Sequence, residues 1–136
     1  KIISRGGNYL LNIAPGPTGD YDQAAYDRLN ELAAWMKINQ TAVFATRTIA
    51  PYHQGDYYYT RSKDSKVVNV FHLSEGDTYQ QPNEYVFEVP DNFSVKQIAI
   101  LGHKGKLDWS QRGNQITLRS PSTRFNYATA IQLQSK

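Results

Sequence analysis

Hydrophobic and polar positions divide the chain into three regimes. The first is residues 6–15, Gly-Gly-Asn-Tyr-Leu-Leu-Asn-Ile-Ala-Pro, a short and mostly apolar run. Read as a strand, it places Tyr9, Leu11 and Ile13 on one face and Leu10 and Ala14 on the other. A strand apolar on both faces expects cover on both sides, as in a parallel sheet wrapped by helices. The loop Gly16-Pro17-Thr18-Gly19-Asp20 follows, and then helical spacing. The two together make one strand–helix unit, whose strand needs neighbours that this chain is not expected to supply.

The second regime is helical. From 22 to about 38, Leu29, Leu32, Ala33 and Met36 recur at helical spacing, with Ala25 and Tyr26 one turn earlier and Trp35 widening the stripe. Asp20 or Asp22 suits the N-cap, where a carboxylate accepts orphan backbone N–H bonds and faces the positive end of the dipole. Asn39 is expected to end the helix. Burying Leu29, Leu32 and Met36 contributes roughly 1.5–3 kcal/mol each, but only against a partner surface. The stripe must therefore fold onto the rest of the chain, self-associate or fray.

The third regime alternates with the period of strands. Residues 41–46 read as extended and lead into a Pro51-containing linker, 48–55. Strands are expected at 57–61 and 66–73, at 84–89 with Tyr85, Phe87 and Val89 on one face, and at 95–101 with Ile98 and Ile100 inward. Those at 107–110 and 115–119 flank Arg112-Gly113-Asn114, a hairpin signal. The last, 128–134, buries Ile131 and Leu133 and exposes Gln132 and Gln134. Six or seven short alternating strands read as an antiparallel β-sandwich. The fold class is thus mainly β, a sandwich preceded by one strand–helix unit, with 1–46 as the first region and 47–136 as the second.

Composition adds exclusions more than assignments. The 136 residues allow one domain, with room for an appendage. A net charge of +3 without long Lys/Arg runs argues against nucleic-acid binding. No cysteine is present, so neither a disulfide framework nor a thiolate metal site is available. No apolar run reaches the roughly 18 residues of a membrane span, and no signal peptide is seen. The opening Lys1-Ile2-Ile3, without Met and inside what reads as structure, suggests a fragment or a processed piece.

Few residues carry candidate chemistry. Asp20 and Asp22 follow a buried run, where carboxylates on βα-loops act in barrel enzymes; helix capping is the preferred reading. His53, His72 and His103 lack the spacing of a metal site, and His72 reads as a hydrogen-bonded sheet histidine. Asn12 either orients neighbours in a site or bonds nearby backbone. Among the aromatic residues that could stack on sugar faces, Tyr57, Tyr58, Tyr59, Trp35 and Trp109, the substrate-binding candidates are Tyr58 and Trp109. Alternation sets Tyr58 opposite Tyr57 and Tyr59, and core is the better reading for Trp109. Asn39-Gln40-Thr41 and Asn92-Phe93-Ser94 match the short glycosylation pattern. No paired-carboxylate, nucleophile–base or phosphate-loop motif emerges.

Several blocks resemble a known family. Ser4-Arg5-Gly6-Gly7-Asn8-Tyr9-Leu10-Leu11-Asn12-Ile13-Ala14-Pro15 resembles the SKGGNLLLNIGP signature of the α-L-fucosidases of glycoside hydrolase family 29, and the Pro15-to-Gly19 loop its PxxDG stretch. Arg28-Leu29, then residues 34–47, resemble the family's RLxxIGxWLKxNGEAIYGTR helix. Tyr59-Thr60-Arg61 is similar to FTRKGD, and residues 95–102 with Leu107-Asp108-Trp109 to VKSVxLLGxxxxLxW. The blocks run in order through nearly the whole chain. Departures are Ala14 for Gly, Thr18 for the Asp before Gly19, and Gln40-Thr41 for Gly-Glu.

The resemblance implies that 1–46 is the last β/α unit of a (β/α)8-like catalytic barrel and 47–136 the family's C-terminal sandwich, bracing it. The family is a retaining glycosidase that releases α-L-fucose from glycans, with an Asp nucleophile and a second carboxylate as acid/base. Its nucleophile and fucose-gripping residues lie on earlier strands and match no position here, so no catalytic residue is assigned. No cofactor or metal is expected. The implied partners are the upstream barrel and, through it, a fucosylated glycan; the implied location is periplasmic or secreted. The alternatives are a non-catalytic carbohydrate-binding module and a purely structural sandwich.

Overall fold

In the computed structural model the described residues are 1–76, 78–90 and 93–135. A short 3-10 turn, Ile3–Arg5, precedes an irregular segment and then the helix α1, Gln23–Val43. Among the described residues nine strands follow: β1 Thr46–Arg47, β2 His53–Gln54, β3 Tyr57–Ser62, β4 Val67–His72, β5 Glu84–Glu88, β6 Val95–Ile100, β7 Trp109–Arg112, β8 Gln115–Arg119 and β9 Thr129–Ser135.

The strands make two antiparallel sheets. One has the order β1-β3-β4-β9-β6, with β2 also paired to β3; the other has the order β5-β8-β7. The registers lay residues out in rows across the larger sheet. Tyr59, Val70, Ile131 and Ile100 form one row, facing the smaller sheet. The smaller sheet returns Tyr85, Phe87, Ile116 and Leu118 to the same core. Each such side chain stabilises by roughly 1.5–3 kcal/mol when removed from water. Gly113, with φ 59°, occupies the first central position of the β7–β8 loop, where a two-residue hairpin connection favours glycine.

The opposite face of the larger sheet is covered by α1. Tyr58, Phe71 and Ala130 stand in one row there and pack with Trp35, Ala42 and Val43. The next row is polar: Thr60, Asn69 and Gln132 lie abreast. Asn69 Nδ2 donates to Thr60 Oγ1 at 3.1 Å, Thr60 Oγ1 donates to the Ala42 carbonyl at 3.2 Å, and Gln132 Nε2 donates to Asn69 Oδ1 at 2.9 Å. Buried polar groups are tolerated because each finds a partner. The molecule is thus three layers: helix, large sheet, small sheet.

Several expectations are corrected. Residues 7–16 form no strand, and Tyr9 and Leu10 are 63% and 81% exposed. The reason is physical: an extended segment becomes a strand only by pairing, and among the described residues no strand pairs with it. The helix continues past Asn39 to Val43; the Asn39 side chain is buried and donates from Nδ2 to the Trp35 carbonyl at 2.9 Å instead of capping the end. Residues 41–43, read as extended, are therefore helical. The helix does fold onto the sandwich, but through Trp35, Ala42 and Val43 rather than through Leu29, Leu32 and Met36; Leu32 remains 42% exposed.

Candidate functional site

The surface left open by this packing is the first feature with functional content. Gly6 takes φ 83°, which lets the chain leave the 3-10 turn and run beside α1. Between that segment and the helix lies a groove of about 790 Å³, lined chiefly by Tyr9, Leu11, Leu32, Met36, Val43 and Phe44. Phe44 is 62% exposed and Leu11 44%. The helix therefore presents one apolar stripe to the sandwich and a second to this groove. Contiguous apolar surface of this kind marks an interaction face.

Asp22 and Asp20 both serve local structure. Asp22 caps α1, its Oδ1 accepting the Ala25 N–H at 2.7 Å. The Asp20 carbonyl accepts the Gly16 N–H at 2.7 Å, closing the loop on itself, and both aspartates are exposed. Asn12 is exposed and lies in the irregular segment.

The aromatic candidates are mostly consumed by packing. The Tyr58 ring stacks on His53 at 5.4 Å between centroids and is approached by Lys1 Nζ at 5.7 Å. It also packs, half-buried, against the helix-side cluster. Trp109, half-buried, faces Leu118 and packs on the inter-sheet core. Trp35 spends its indole N–H on the Ala128 carbonyl at 2.9 Å. Asn39, 5% exposed and hydrogen-bonded, is not a free glycosylation acceptor in the folded chain, and Asn92 lies outside the described residues.

The histidines are separate. His53 is on the surface, and His103 Nδ1 pairs with Thr123 Oγ1 at 2.8 Å. His72 is buried at the end of β4, its Nδ1 2.9 Å from the Tyr79 hydroxyl. Burial pushes its imidazole below the ordinary histidine value, against an upward pull from the Asp56 carboxylate. Burial likewise pushes the phenols of Tyr57, Tyr59 and Tyr79 up. Among the described residues, no group of three or more His, Cys, Asp or Glu side chains could hold a metal ion, and no helix is long and apolar enough to cross a membrane. Sequence reasoning missed a polar pocket beside His72, built by Gln54, Asp56, Glu88 and Gln115. No sequence pattern announces it, because its members come from four separate stretches.

Comparison with known proteins gives these surfaces a context. The family profile described as Alpha-L-fucosidase matches residues 1–41. Tissue alpha-L-fucosidase of Rattus norvegicus is 34% identical over 125 residues, covering 87% of this chain and 26% of the relative. Plasma alpha-L-fucosidase of Homo sapiens is 25% identical over 142 residues, covering 96% of this chain and 30% of the relative. Among solved structures, a GH29 alpha-L-fucosidase from Bacteroides thetaiotaomicron shares the fold with a TM-score of 0.78 at 21% identity, covering 99% of this chain and 30% of that one. The Thermotoga maritima alpha-fucosidase in complex with fucose gives 0.73 at 19% identity, covering 97% and 31%.

These similarities place the chain in the class of glycoside hydrolases. Within that class it belongs with the α-L-fucosidases of family 29 and corresponds to a C-terminal portion of them. It spans about a quarter to a third of the length of the relatives it matches.

Proposed function

We propose that the chain is the C-terminal part of a retaining α-L-fucosidase, with its sandwich and α1 bracing a catalytic barrel built from upstream sequence. In this reading 1–46 closes the barrel and 47–136 is the sandwich domain. Residues 7–13 pair with a barrel strand, and the groove beside Leu32 and Met36 receives barrel side chains. The parent protein releases α-L-fucose from glycans. A carboxylate nucleophile and an acid/base carboxylate about 5–5.5 Å apart, as retention requires, are contributed from outside this chain. The location we propose is periplasmic or secreted.

The observation that carries the reading is the exposed run Tyr9-Leu10-Leu11. It lies inside the stretch that matches the family profile, yet it has no pairing partner among the described residues. An apolar segment that remains unpaired fits a strand whose sheet lies elsewhere.

The test is hydrolysis of an aryl α-L-fucoside by this chain and by a longer protein carrying it behind the upstream sequence. Activity confined to the longer protein is expected. Activity in the 136-residue chain would overturn the assignment of the carboxylates, and inactivity of both would overturn the enzymatic reading.

A further inference from the structure

The groove beside α1 carries a charge pattern of its own. Its walls are mostly apolar, and of its described lining residues only Arg47 and Lys63 are charged; both are basic and exposed. Neither makes an ion pair among the described residues. Arg47 Nη1 donates to the carbonyl of its own neighbour, Thr46, at 2.9 Å. Asp64, the carboxylate next to Lys63 in sequence, is engaged in the β3–β4 turn. Its Oδ1 accepts the Ser62 hydroxyl at 2.6 Å and the Lys66 N–H at 3.1 Å.

A third cation stands beside these two. The strand β1 lies at one edge of the larger sheet, and its register sets Arg47 directly opposite Arg61 of β3. Like charges facing each other across two strands are destabilising. Arg61 Nη1 donates to Ser65 Oγ at 2.9 Å, while its buried Nε has no acceptor among the described residues. Three cations thus share one sheet edge, and among the described residues none of them is paired with a carboxylate.

Solvent and salt screen this repulsion while the edge is wet. The docking proposed for the upstream barrel removes that water. Leu11, Leu32, Met36 and Phe44 call for an apolar cover, and a cover that reaches Arg47 strips hydration from its guanidinium. A charge desolvated without a counterion is costly, whereas a paired one is tolerated. A guanidinium also matches a carboxylate in shape, through two parallel N–H bonds. The chain spans 26% and 30% of two relatives it matches, which leaves room for a partner of barrel size outside it. We propose that the β1 edge of the groove is a carboxylate-recognition site: the upstream surface that docks there is apolar at its centre and sets an Asp or Glu side chain against Arg47 and Lys63. The proposal rests on the barrel-docking reading and adds the chemistry of the partner.

Amide exchange in the longer protein, compared with the 136-residue chain, tests it. Docking should protect the amides of residues 8–11 in the longer protein only. There Arg47→Met, which keeps an apolar stem, should lower this protection about tenfold, the loss of one charged hydrogen-bonded pair. Arg47→Glu should lower it further, and Arg47→Lys less. In the 136-residue chain the sign reverses. There Arg47→Glu sets an opposite charge across from Arg61 and should raise the urea midpoint. Lys96→Met, exposed on β6 at the far edge of the same sheet, should change neither reading. Protection of 8–11 that is indifferent to Arg47→Met and Arg47→Glu would overturn the carboxylate and leave docking intact, the cations then reaching solvent at the rim. An equal loss from Lys96→Met would overturn it as a general effect of charge. Absence of protection at 8–11 in the longer protein would remove the docking reading itself, and the inference with it, before any variant is made.

Discussion

The indole Nε1 of Trp35 donates to the carbonyl oxygen of Ala128 at 2.9 Å, joining the middle of α1 to the approach to β9. This bond ties the helix to the sheet at a point distant in sequence. Trp35→Phe keeps an aromatic ring but leaves the Ala128 carbonyl without its donor. The expected cost is about 1–3 kcal/mol, read as a lower urea midpoint with an unchanged m-value.

Leu32 distinguishes a surface residue from an interface residue. In the chain alone it is 42% exposed, so Leu32→Asp should change stability by no more than about 0.5 kcal/mol. In a longer protein that supplies the proposed barrel, the same change should cost about 1.5–3 kcal/mol, because the side chain is then buried. Equal effects in both proteins would argue against barrel docking on this stripe.

Ala45 takes φ 57°, a left-handed conformation that costs a non-glycine residue about 1–2 kcal/mol. It redirects the chain from the C-terminus of α1 into β1. The family string resembled by residues 39–47 carries Gly at this position. Ala45→Gly should raise stability by about 0.5–1 kcal/mol, the relief being partly offset by added freedom in the unfolded chain. Thermal unfolding checks it.

His72 should make stability depend on acid. Burial lowers its folded value, so the unfolded chain binds the proton more readily. Below the ordinary histidine value of about 6.5, the unfolded state takes up a proton that the folded state resists, and stability falls with pH. The contribution is complete above that value and is lost as pH falls toward the depressed one. His72→Gln should flatten this slope, measured by denaturant titration at a series of pH values.

The parts of the fold legible in the sequence were those with period two and a buried face. Tyr85, Phe87, Ile98, Ile100, Ile131 and Leu133 alternate cleanly, and their strands were found within a few residues. The two-residue strands β1 and β2 were not, since two residues have no period. The helix is legible in the sequence, but the face it turns to the sheet is not. Its densest apolar stripe, Leu29, Leu32 and Met36, stays half-buried or exposed, whereas the sheet is met by Trp35, Ala42 and Val43, and Asn39 is buried. A small or polar residue gives little hydrophobic signal even when it sits deepest. The first segment looked buried because its composition is apolar. Whether an apolar strand is covered depends on partners, and local sequence does not report them. The polar pocket beside His72 depends on tertiary assembly and has no signature in the sequence.

The polar row Thr60-Asn69-Gln132 bears on where such a chain can be cut. A gene fragment starting at 47 would follow the boundary drawn from the hydrophobic pattern. It would also strip α1 from the sheet, removing the Ala42 carbonyl from Thr60 and uncovering Phe71 and Ala130. The product would carry a sticky, half-satisfied sheet face and would be a poor expression target. Starting upstream of Asp22 retains both the helix and its cap, so the portable unit is larger than the sandwich it contains.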